Sequence, residues 1–82
     1  MNTRQKAGSE HVQWREIDGV RVEVVGSWND DTPDGQYDFY DLYMDGDCIN
    51  IGNPCYAVDG LPKDDVIRSF IKAQRGMEDD GK

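Results

Sequence analysis

At 82 residues, with 17 acidic side chains against 9 basic ones and a net charge of −8, the chain is too short for two independent cores and too acidic to be drawn to nucleic acid or an anionic membrane. No stretch approaches the roughly 20 apolar residues that cross a bilayer, and the N-terminus lacks the apolar run of a secretory signal. Two cysteines, Cys48 and Cys55, are too few for a disulfide framework, so a cytoplasmic protein with free thiols is expected.

Residues 1–10 hold only Ala7 as an apolar side chain after the initiator and read as a flexible arm; the folded domain is expected over 11–76, followed by a flexible acidic tail, 77–82. Val20, Val22 and Val24 then alternate with Arg21 and Glu23, and Asp18-Gly19 supplies a turn before them. A two-residue turn would pair Ile17 with Val20 and put Gln13 and Arg15 on the valine face. A three-residue loop closing on Gly19 in a bulge instead sets Trp14 against Val22 and Val12 against Val24. The second register keeps the apolar face clean and is the expected one, although it places Arg15 opposite Arg21. A short helix over Glu10 to Ile17, capped by Ser9, is the alternative.

Asn29 to Gln36 reads as a loop, since Asn29-Asp30-Asp31 has no apolar side chain and Thr32-Pro33-Asp34-Gly35 has Pro and Gly where a turn wants them. Tyr37 to Met44 is rich in strand-favouring aromatics, and Asp45-Gly46 is a two-residue hairpin signal that sets Leu42 opposite Ile49 and Tyr40 opposite Ile51. Gly52-Asn53-Pro54 bends the chain, leaving Cys55 to Val58 as a short edge strand. The last element is a helix from Lys63 to Arg75, with Asp64 and Asp65 in its first turn, Lys72 and Arg75 near its end and Gly76 as its stop. Val66, Ile67, Phe70 and Ile71 give it one apolar face.

The class is therefore α+β: an antiparallel sheet of about four strands built from two Asp-Gly hairpins, with one C-terminal helix packed on one face. One short helix leaves the second sheet face uncovered, and these registers put Tyr37, Phe39, Asp41, Tyr43 and Cys48 on it.

Chemistry is sparse. The one histidine, His11, stands near the expected arm, which speaks against a His-centred catalytic group, and a domain this small has little room for a cleft between paired carboxylates. Read as an EF-hand starting at Asp41, the sequence puts Tyr43 and Gly52 where acids belong. Cys48 and Cys55 lack the further ligands of a zinc site, and no glycine-rich phosphate loop is present. No enzyme, cofactor or metal is expected.

The run from Val22 to Pro62 holds nine acids and no Lys, Arg or His. It points to a protein-binding module whose partner is basic, such as a nucleic-acid-binding protein. Tyr37, Phe39, Asp41 and Tyr43 would make the contact, with Asp30, Asp31 and Asp34 steering association from the rim. Two alternatives are a homodimer and a metal- or ligand-binding module using the Asn29 to Gly35 loop.

Overall fold

A computed structural model of the chain describes residues 7–78, so the expectations for residues 1–6 and 79–82 lie outside the described residues. Strands β1 (Gly8–Ile17) and β2 (Val20–Trp28) form one hairpin and β3 (Phe39–Met44) and β4 (Asp47–Cys48) the other. A fifth strand, β5 (Cys55–Tyr56), a 3-10 turn over Ala57–Asp59 and the helix α1 (Asp64–Glu78) complete the chain. The sheet is antiparallel in the order β1-β2-β3-β4. β4 pairs with Tyr43 and Met44, and β5 with Phe39 and Tyr40, so two short strands share one edge of β3. This is the α+β architecture the sequence implies. The ends run further than expected: β1 begins inside the expected arm at Gly8, paired with Trp28, and α1 passes through Gly76.

The first hairpin takes the register the sequence reading set aside, and the alternative helix over Glu10 to Ile17 does not form. Ile17 pairs with Val20, Arg15 with Val22 and Gln13 with Val24. Local turn chemistry outweighs a clean apolar face, because Asp18 and Gly19 both take positive φ (51° and 82°), a two-residue turn whose twist matches that of the strands. The same register sets Glu16 opposite Arg21, replacing the like-charge pair of the other. A bulge between His11 and Gln13 then restores the pattern, with Val12 packed against the core. Arg15 gains partners at the helix start: it donates to Gln13 Oε1 and to the Pro62 carbonyl, each at 3.0 Å, and to Asp64 Oδ1 at 2.5 Å.

In the second hairpin, Asp45 and Gly46 also take positive φ, 54° and 85°, and Ile49 N–H donates to the Leu42 carbonyl at 2.8 Å. The strand ends there. Tyr40 does not face Ile51, which is 80% exposed; it pairs with Cys55. The side chain of buried Asn50 takes the place of the missing strand, accepting from Leu42 N–H at 3.2 Å and donating to the Tyr40 carbonyl at 3.1 Å.

Val22, Val24, Tyr40, Leu42 and Met44 line one sheet face, and Ile67 and Ile71 of α1 close over them with Ile17 and Ile49. Arg68 ties the helix to the first turn, donating to Asp18 Oδ2 at 2.8 Å, and its guanidinium holds the Asp18 carboxyl below the ordinary carboxylate value. That contribution to stability is present above the ordinary value and is lost as pH falls through the depressed one. Among the described residues no helix is long and apolar enough to cross a membrane.

Candidate functional site

With α1 on one side, the other face of the sheet is left open by the described residues, and the strand registers assign its residues row by row. Trp14, Glu23, Tyr43 and Cys48 form one row across four strands. His11, Val25 and Asp41 form the next, and Ser9, Ser27, Phe39 and Tyr56 a third. Glu16 and Arg21 stand at the end nearest the first turn. Alternation produces this face: each of its residues on β2 and β3 is one step out of phase with the buried Val22, Val24, Tyr40 and Leu42.

Side chains interlock across the rows. The Arg21 guanidinium lies 4.3 Å from the Trp14 ring centre, and His11 packs against the same ring at 5.4 Å. His11 Nδ1 is 2.9 Å from Glu23 Oε2. Ser27 donates to Asp41 Oδ2 at 3.3 Å. The surface is aromatic with mixed charge: Arg21 of β2 stands with Glu16, Glu23 and Asp41, and the last two are the acids of the base-free run that it includes.

Burial, then the neighbouring Asp41, Cys48 and Glu23, push the Tyr43 phenol above its ordinary value. Cys55, facing the core, is likewise pushed up by burial and by Asp41. For Tyr43 the folded state holds the proton more tightly than the unfolded one, so its contribution is intact below about pH 10 and lost as pH rises through the folded value. Phenolate absorbance of the wild type minus that of Tyr43→Phe should therefore show a midpoint above 10; a midpoint at or below 10 would mean Tyr43 stands free of its neighbours.

Of the residues singled out in the sequence, the structure brings Phe39, Asp41 and Tyr43 together on the open face. Tyr37 is not with them. It precedes β3, and its ring lies on Gly26 on the helix-side face, against Trp28 and Tyr40 at centroid distances of 6.2 and 5.6 Å, with its hydroxyl donating to Glu10 at 2.5 Å. The strand parity assumed for Tyr37 fails because the chain turns at Asp38, whose N–H donates to the Ser27 carbonyl. Trp14, Arg21, His11 and Tyr56 are members the sequence reading missed. Arg21 follows from its alternation with the valines and Trp14 from the two-residue form of the Asp18-Gly19 turn, whereas His11 reaches this face only through the bulge between His11 and Gln13.

Asp30, Asp31 and Asp34 are exposed in the loop between the hairpins. Thr32 N–H donates to the Asn29 carbonyl and Gln36 N–H to that of Pro33, both at 3.1 Å, and the Asn29 amide bonds Asp38. Among the described residues no group of three His, Cys, Asp or Glu side chains is placed to hold a metal ion.

A second surface feature lies at the start of α1, a groove of about 540 Å³ lined by Cys55, Tyr56, Leu61, Pro62, Val66 and Phe70, among other residues. Ile51 and Val58, 80% and 89% exposed, add apolar surface outside it. Comparison of the chain with known protein families, with characterised proteins and with solved structures finds no match.

Proposed function

We propose that this chain is a non-enzymatic interaction protein that docks the basic surface of a protein partner on its open sheet face. The observation that supports the reading is the composition of that face: Trp14, Phe39, Tyr43 and Tyr56 surround Glu23 and Asp41 across four paired strands with α1 on the far side. Aromatic rings at partial exposure are the common anchors of interface cores, and carboxylates beside them select Lys and Arg of the partner. Phe39, Asp41 and Tyr43 make the contact with Trp14, while Asp30, Asp31 and Asp34 steer association from the exposed loop. Tyr37 supports the sheet from behind. A partner that also binds a polyanion would be held in competition with it. Two free thiols suit a reducing compartment, the cytoplasm.

The test is co-capture by tagged chains carrying Phe39→Ala with Tyr43→Ala, beside a control altered on the helix, Lys72→Glu. Binding should be lost in the first and kept in the second, and its association rate should fall as salt rises. Capture that survives the paired open-face change would overturn the reading.

A further inference from the structure

Among the described residues β1 ends the sheet, with ten residues and one strand neighbour. No backbone hydrogen bond of the described residues joins its outer edge to another part of the chain. An edge this long invites another strand, and the usual deterrents, proline and lysine, are absent from its sequence. From the geometry of this strand we propose that a second copy of the chain pairs with it, β1 against β1 in antiparallel orientation about a two-fold axis between Val12 and Gln13.

The offset follows from the faces. On the helix side β1 places Gly8, Glu10, Gln13, Arg15 and Ile17, and on the open side Ser9, His11, Trp14 and Glu16, with Val12 bulged toward the core. Opposed residues of antiparallel strands must share a face. An axis between Val12 and Gln13 matches every pair: Gly8 with Ile17, Ser9 with Glu16, Glu10 with Arg15, His11 with Trp14 and Val12 with Gln13. Moving the axis by half a residue either way sets helix-side residues against open-side ones. The bulge would itself disturb pairing to a regular strand, but here it sits at the axis in both copies and the parity is preserved on either side.

The side chains agree with the offset. Glu10 meets Arg15 twice, a charge-complementary pair at each end. Each group has room for a second partner: Glu10 gives Oε2 to Tyr37, and the fork of Arg15 offers five donors, of which the structure shows two nitrogens engaged. On the open face the half-exposed Trp14, 51% exposed in one chain, gains the partner's histidine ring beside its own. The result is a continuous sheet whose two open faces lie side by side.

Sedimentation equilibrium of the full chain should give twice the 9.3 kDa of one copy, and Glu10→Lys, which sets Lys against Arg at both ends, should weaken the dimer by about ten-fold or more while far-UV circular dichroism stays unchanged. Should Glu10→Lys fail to fold, cross-linking decides: mixing His11→Cys with Trp14→Cys chains, both in a Cys48→Ser, Cys55→Ser background, should yield a disulfide dimer that neither forms alone. A monomer at all concentrations overturns the proposal. So does a dimer that keeps its affinity in folded Glu10→Lys, or that gives no mixed disulfide.

Discussion

Replacing Asn50 with leucine should cost about 3 kcal/mol, although the two side chains are close in size. Asn50 is 2% exposed, and its amide serves two backbone groups of β3 where the fourth strand has already ended. Leucine offers neither donor nor acceptor, so Leu42 N–H and the Tyr40 carbonyl lose these partners in the interior. Each buried polar group stranded this way costs about 1–3 kcal/mol. A chain of this length has on the order of 4–12 kcal/mol to lose, so the melting temperature should fall by roughly 15 °C. Thermal unfolding followed by circular dichroism measures it; a drop of only a degree or two would mean that water replaces the amide at no cost.

Gly26→Ala should be nearly as damaging, at about 2–3 kcal/mol, for a steric reason. A Cβ at position 26 would lie 2.4 Å from Tyr37 Cδ1 and 2.6 Å from Cε1, distances no ring can tolerate. The ring must leave, and with it the cover over the end of the first hairpin away from its turn, where Trp28 is buried. Removal of the ring should relieve the clash: Tyr37→Ala combined with Gly26→Ala should cost less than the sum of the two single changes. Strict additivity in chemical denaturation would contradict the packing of Tyr37 on Gly26.

Both positions show where the sequence is readable and where it is not. Asp18-Gly19 and Asp45-Gly46 announce their turns because the required positive φ is a property of the dipeptide itself. The α1 face is equally plain, with Ile67 and Ile71 buried at helical spacing. Three features escape a local reading. The bulge at Val12 is decided by what β2 and the helix leave for β1 to cover, and without it His11 would fall on the helix side rather than the open face. Asn50 reads as a strand residue between Ile49 and Ile51 until the loss of strand pairing at its position is known. Tyr37 looks like the first residue of an alternating strand, yet it sits before the strand begins and crosses to the opposite face. Phe39, Asp41 and Tyr43 were legible because they lie inside β3, where alternation holds.

Hydroxyl-radical footprinting of the chain alone and in complex with its captured partner tests the binding face most directly. Protection is expected at Trp14, Phe39 and Tyr43, with Tyr37 and Trp28 unchanged on the helix side. Protection centred on Ile51, Val58, Leu61 and Val66, with Phe39 and Tyr43 unaffected, would place the partner on the apolar groove at the start of α1 and contradict the open face as the binding surface.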